Sequence, residues 1–383
     1  MTTRSSRRGP DRSWRDPLVW GVWASAMLLV LTACSGGSLD TASGAGSGSD
    51  VLTDAMKPVT KVAAPTEKFT QPKDKHILIL SCGSSGQGCV NEAKEEERVA
   101  KSLGWTVDVV DGKLDPTVWN QVVKQAAQSG VDGIIAISSD PNLYGDAMEI
   151  VADKDIPFVL TQQTPGDKDV KGIDTYIAPD PQVGGHDVAK WIIADSGGRA
   201  NVLVIDFPGF ANVNQRGAKI IEKLESDCED CTVTKVDQAP ATIGTGLAPL
   251  VTNQLQQNPG IDYIWGSDDC CVSFMQQGIQ QAGRTGSVKL ASMTGYPEQM
   301  TQIKDGTMGA ELASPTLFSA WLAVDSLGRL MAGEPTQKYW ALPQRIWTKS
   351  TIDKAPPEIF KVGWNTEVDY QKMFEDLWGT STS

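Results

Sequence analysis

Two short segments gather the side chains that could do chemistry. Asp268-Asp269-Cys270-Cys271 sets two carboxylates beside two thiols. Gly83-Ser84-Ser85-Gly86-Gln87-Gly88 places hydroxyls in a glycine-rich loop between Cys82 and Cys89. Neither reads as a catalytic centre. The loop lacks the G-x-G-x-x-G spacing that lays backbone amides on a pyrophosphate. A serine hydrolase needs G-x-S-x-G and a histidine base. Gly83-Ser84-Ser85-Gly86-Gln87 fails at the last glycine, His76 starts a buried strand, and His186 is the only other histidine. Adjacent carboxylates after a strand point in different directions and make a poor acid–base pair. Two histidines cannot build a multi-histidine metal site. We therefore expect no enzyme activity, no cofactor and no metal.

The elements around these segments alternate short apolar runs with amphipathic stretches. His76–Ser81, Trp105–Val110, Gly133–Ser138 and Ile156–Thr161 read as strands, and Asn91–Leu103 and Leu143–Lys154 as helices. Between them Asp115-Pro116 opens another helix, with Asp as cap and Pro in the first turn. The pattern restarts with strands at Asn201–Asp206, Thr232–Val236, Ile261–Gly266 and Val288–Met293. Helices at Asn214–Glu225, Leu247–Gln257 and Val272–Ala282 separate them. Strands alternating with helices of this length predict parallel sheets with right-handed crossovers, so the fold class is α/β with two doubly wound domains. Ligands in such folds sit beyond the carboxyl ends of the strands. That rule selects 82–91, 138–142, 161–165, 207–216, 237–242, 267–273 and 294–297.

A chain of 383 residues fits two domains. Acids exceed bases by 47 to 34, and residues 1–33 hold five arginines against two aspartates, so the remainder is more acidic still. Such a body repels phosphate backbones, which excludes nucleic acid as the expected partner. The arginines precede an apolar run from Leu18 to Ala33, shorter than the roughly 20 residues of a spanning helix. Basic segment, apolar segment and small residues in that order predict a signal peptide over 1–33. It ends in Leu31-Thr32-Ala33-Cys34, which resembles the bacterial lipobox. The resemblance implies cleavage before Cys34, lipidation of that residue and anchoring on the outer side of the cell membrane. Residues 34–72, rich in Ser, Gly, Thr, Pro and Ala, read as a flexible tether.

The run Tyr176-Ile177-Ala178-Pro179-Asp180, followed by Gly184-Gly185 and Ala189, resembles the first interdomain crossover of ribose-binding-type periplasmic proteins. Asp132-Gly133-Ile134-Ile135, Ile156-Pro157-Phe158-Val159, Gln215-Arg216-Gly217, Asp268-Asp269 and Lys304-Asp305-Gly306 fall in the family's order. The similarity spans roughly 75–350. It implies a solute-binding subunit of an ABC importer, monomeric, closing on a small polar ligand such as a sugar or polyol and delivering it to a permease. The same fold also serves ligand sensors that present a solute to a receptor or kinase. Three crossings are implied, near Ala178–Pro181, Ser314-Pro315 and Tyr339–Pro343. They divide the chain into 73–179 plus 315–340 and 180–314 plus 341–352, with 353–383 packing back on the body.

The resemblance also supplies ligand candidates. Arg216 aligns with the family's ligand-binding arginine, whose planar guanidinium grips adjacent hydroxyls. Of Asp268 and Asp269, one is expected on the ligand and one capping the next helix. Thr294 and Ser314 stand where the family often has Asp and Gln, and Thr161-Gln162-Gln163 replaces a frequent Asp-Arg, making Thr161 and Gln162 candidates. Ser84, Ser85 and Gln87 occupy a loop that usually carries Asn and aromatic rings. Phe207, Phe210, Tyr296 or Trp265 are candidate substitute rings, and each reads equally as core.

Beyond Cys34 six cysteines remain, an even count that favours disulfides in an exported protein. Cys228–Cys231 reads as a local staple and Cys82–Cys89 as a short loop closure. Cys270 and Cys271 are left for each other. Our expectation is a vicinal disulfide presenting a rigid apolar surface to the ligand. Two free thiols, or a bond to Cys82 or Cys89 across the cleft, are the alternatives.

Overall fold

A computed structural model describes residues 54–84, 86–166 and 170–380. Cys34 and the segment expected as a signal peptide lie outside the described residues. Twelve strands among those described form two six-stranded sheets, one per lobe.

The first lobe interleaves β1 (His76–Ser81), α1 (Gln87–Ser102), β2 (Thr106–Asp111), α2 (Pro116–Ser129), β3 (Gly133–Ile137), α3 (Ala147–Asp153), β4 (Phe158–Thr161) and β5 (Thr175–Pro179). The second contains α4 (Pro181–Ser196), β6 (Asn201–Asp206), α5 (Ala211–Asp227), β7 (Thr232–Asp237), α6 (Ile243–Gln257), β8 (Tyr263–Trp265), α7 (Val272–Gln281), β9 (Lys289–Thr294), α8 (Pro297–Asp305) and β10 (Ala310–Ala313). Then α9 (Thr316–Met331) and β11 (Tyr339–Leu342) return to the first lobe, and β12 (Arg345–Thr348) to the second. The first sheet, in the order β11-β5-β4-β3-β1-β2, is parallel throughout; the second, β12-β10-β9-β8-β6-β7, is parallel except for β12.

Local chemistry sets many boundaries. Asp115 accepts from the Thr117 amide at 2.8 Å, Pro116 fills the first turn, and Gly130 closes α2 in the left-handed conformation. Asp180 and Pro181 open α4 the same way, and Gly197 ends it. The helices α4 and α5 pack closely. A Cβ on Gly185 would lie 2.7 Å from the Arg216 carbonyl oxygen, so glycine is what lets these helices meet.

Several expectations need correction. The third crossing falls after β11 rather than within it, so 341–342 belong with the first lobe. The C-terminal half of the expected tether is fastened to the body. Arg345 Nε donates to the Met56 carbonyl at 2.9 Å, Arg329 to that of Glu67 at 2.9 Å, and Trp105 Nε1 to that of Pro72 at 2.7 Å. The segment holds on through backbone carbonyls, which a scan for bulky apolar side chains does not detect. It runs from the second lobe, where Met56 and Val59 pack, to the first, where Val62 and Ala64 pack. The C-terminal extension makes the same passage. Ile359 and Trp364 join the second core; Tyr370, Phe374 and Trp378 join the first, the last three on α10 (Tyr370–Trp378). The two straps meet at Glu367, whose carboxylate accepts from the Val59 amide and pairs with Arg345. Among the described residues five segments therefore cross between the lobes, not three. No helix among the described residues is long and apolar enough to cross a membrane.

Candidate functional site

The carboxyl ends of both sheets face a cavity of about 730 Å³ between the lobes. The backbone around it is strained. Ser138 after β3, Gln162 after β4, Ser267 after β8 and Thr294 ending β9 all have positive φ, of 49°, 57°, 58° and 142°. Non-glycine residues hold such conformations only where surrounding structure enforces them, and ligand clefts are a common place. The lobes touch. Asn212 Nδ2 donates to the Gln162 carbonyl at 2.5 Å, and Thr164 Oγ1 to Gln215 Oε1 at 3.3 Å. Trp119 meets Phe210 edge-on at 6.4 Å. Gly88 lies against the Tyr296 hydroxyl, which a Cβ there would approach to 2.3 Å.

Arg216 lines this cavity. It lies on α5, is 2% exposed, and its Nε has no hydrogen-bond partner. Burial lowers its pKa to about 10, with Asp268 opposing that shift. The Tyr296 hydroxyl and Ser314 Oγ are also buried without partners and line the same cavity. Buried polar atoms are nearly always satisfied, so three unpaired ones around one cavity form a set that a hydroxylated ligand would complete.

Of the candidates read from sequence, Gln162, Arg216, Asp268, Thr294 and Ser314 line the cavity. The two aspartates divide. Asp268 faces the cavity, and its carboxylate also accepts from the Cys270 amide at 3.2 Å. Asp269 turns inward and accepts from Ser292 Oγ at 2.6 Å, the Gly295 amide at 3.0 Å and the Tyr296 amide at 3.2 Å. It holds the loop that presents Thr294 and Tyr296 and does not line the cavity. Ser84 and Gln87 are exposed and do not line it either. The Ser84 amide donates to Asp111, and Gln87 donates to Asn91. Thr161 is fully buried within β4. Ser85 lies outside the described residues. Among the substitute rings, Phe207, Phe210 and Tyr296 line the cavity, whereas Trp265 is in the second lobe's core.

The cysteines pair as Cys82–Cys89 and Cys228–Cys231. The vicinal disulfide is not formed. Cys270 and Cys271 are free thiols with sulfurs 2.9 Å apart, against about 2.05 Å for a bond. Closing that eight-membered ring would distort the peptide between them at the start of α7. The Cys271 sulfur, burial and the neighbouring acids push the Cys270 thiol well above its ordinary range. Alkylation without reductant should therefore be slow in the native protein and should add two groups on denaturation, as counted by intact mass. A denatured chain that takes up none would restore the disulfide.

Sequence reasoning missed Glu92, Asn212 and Phe274, all of which line the cavity. Glu92 sits in a run of charges that reads as a solvated face. The signal was its spacing from Gly88 on a helix that starts at Gln87, four residues before the expected start. Its carboxylate is 1% exposed and accepts from Gln162 Nε2 at 3.0 and 3.2 Å. Burial raises its pKa from 4.5 to about 7. A carboxyl with a raised folded pKa stabilises fully below its unfolded value and loses that contribution as pH rises through the folded one. Glu92→Gln should thus gain on the order of 3 kcal/mol over the parent near pH 8 and little near pH 4. Denaturant titrations at the two pH values check this; an equal effect at both would sink it.

Residues 84–335 match the family model for the periplasmic binding protein domain. The chain belongs to the periplasmic binding protein family, of the ribose-binding type. Among its relatives, the ribose import binding protein of Bacillus subtilis is 24% identical over 261 residues, 68% of this chain and 83% of that protein. Two solved structures show the same fold. An ABC transporter solute-binding protein from Agrobacterium vitis with bound D-fucose is 20% identical, with TM-score 0.68, covering 76% of this chain and 100% of that one. Another from the same organism, with bound allitol, is 19% identical, with TM-score 0.67 and coverages of 74% and 98%. These periplasmic binding proteins bind solutes and are not enzymes.

Proposed function

We propose that this chain is the extracytoplasmic solute-binding lipoprotein of an ABC import system, anchored through Cys34, which closes on a sugar or polyol and delivers it to a permease. The observation that carries the reading is the set of unpartnered buried polar atoms, Arg216 Nε, the Tyr296 hydroxyl and Ser314 Oγ, around one interlobe cavity beside aromatic rings. Relatives that carry ribose, D-fucose and allitol support the ligand class. The Leu31-Thr32-Ala33-Cys34 signal supports the anchor. Gln162, Asp268 and Thr294 complete the polar contacts.

A thermal-shift screen of sugars and polyols tests this reading. A ligand at a thousandfold excess over its Kd stabilises the native state by about 4 kcal/mol. No stabilisation by any member would overturn it. Recovery of the bound ligand unchanged separates binding from turnover. Uptake of that ligand in a strain lacking the protein separates import from sensing: undiminished uptake would refute delivery to a permease. Cys34→Ala should move the protein from the membrane to the soluble fraction.

A further inference from the structure

We infer that the cleft is shaped for an aryl glycoside, a sugar head carrying a planar apolar group, rather than for a free monosaccharide. This rests on the sugar-binding reading above and adds the second half of the ligand. Size is the first argument. The cavity keeps about 730 Å³ with the lobes already in contact through Asn212–Gln162, Thr164–Gln215 and Trp119–Phe210. Even at the roughly 30 Å³ that each water claims in the liquid, the dozen or so heavy atoms of a hexose would fill only about half of it.

The lining is the second argument. The polar groups are tied to one another: Glu92 accepts from Gln162, the Gln162 carbonyl accepts from Asn212, and Asn212 lies one helical turn before Arg216 on α5. A separate wall is apolar. Phe207 belongs to the second lobe's core, and Phe210, Ile243 and Phe274 pack against it while still lining the cavity. Phe210 and Phe274 are only partly buried, so each leaves surface open to the cleft. A free sugar carries hydroxyls around its whole edge. One C–H face of a free sugar can stack on a ring, but edge hydroxyls set against the rest of this wall would lose water and gain no partner, which costs free energy. An aryl ring would cover the wall by stacking and edge contacts, leaving the sugar hydroxyls to Arg216, Asp268 and Gln162.

Isothermal titration with matched pairs, each free sugar beside its phenyl glycoside, decides the matter. The pairs span pentoses, aldohexoses and ketohexoses. For the head group that binds, the phenyl glycoside should be about fiftyfold tighter, the factor expected when a phenyl ring's surface leaves water. Phe274→Ala should shrink that ratio to under about fivefold, with Phe274→Leu intermediate; ratios are read within each variant, so a general loss of stability does not mimic the result. Free sugars that bind as tightly as their phenyl glycosides overturn the inference and leave the sugar-binding reading standing. Failure of every pair overturns both. A full preference persisting in both Phe274→Ala and Phe210→Ala also overturns it, because the apolar wall is then not what the aryl group meets.

Discussion

Replacing Arg216 with methionine should remove high-affinity binding while changing the stability of the ligand-free protein little. The loss should be about 2–5 kcal/mol, because ligand hydroxyls buried in the closed cleft would lose a charged partner. The stability half follows from the burial of this guanidinium. At 2% exposure, with Nε unpaired, it carries a desolvation cost that no acceptor at that nitrogen offsets. Methionine fills similar space without the charge, but it also leaves the buried Asp268 carboxylate without its cationic neighbour, so the two effects offset one another. Titration calorimetry and urea unfolding of the same samples check both halves. Unaltered affinity would remove Arg216 from the site. Lost affinity together with a large loss of stability would make it a structural residue instead.

Trp378→Ala should destabilise the protein by about 3–5 kcal/mol, the range for removing a buried tryptophan. The ring stacks on Trp321 at 5.3 Å with an 11° interplanar angle and lies 5.6 Å from Phe374. Its Nε1 donates to Asp325 Oδ1 at 2.7 Å, and Asp325 is fully buried and paired with Arg329 at 2.7 Å. The substitution therefore opens a cavity and strips a donor from a buried carboxylate. Because α10 packs in the first lobe's core and none of its residues lines the cavity, affinity in the folded fraction should hold. Urea unfolding reads the first quantity and calorimetry the second. A cost below about 1 kcal/mol would show that the C-terminal strap lies loosely on the body.

Strands buried on both faces, such as His76–Ser81 and Asn201–Asp206, declare themselves as unbroken apolar runs, and the structure keeps both spans. Strand β10 hides because a fully buried Glu311 interrupts its apolar character. The start of α1 hides because Gly86 and Gly88 read as loop. In the folded chain Gly88 is helical, and the Tyr296 hydroxyl from the other lobe occupies the space a side chain would need. Glu92 lies inside the expected helix and was hidden by the charges around it, which read as a solvated face. Composition misled most over 54–72, where backbone carbonyls that every residue type possesses join a few scattered apolar side chains in holding the segment.

The sequence by itself determined the α/β class, the two-domain repeat and the strand ends that border the cleft, and its family resemblance pointed to Arg216. Periodicity and helix caps are local properties, legible within a dozen residues. Only the tertiary structure decided which way each candidate points. Asp268 and Asp269 are neighbours, yet one meets the cleft and the other a serine on the next strand. Cys270 and Cys271 remain thiols although they adjoin, and Glu92 is buried within a run of charges. Side-chain direction at a loop or helix start follows from packing against partners on other elements: Ser292, 23 positions on, holds Asp269, and Gln162, 70 positions on, holds Glu92.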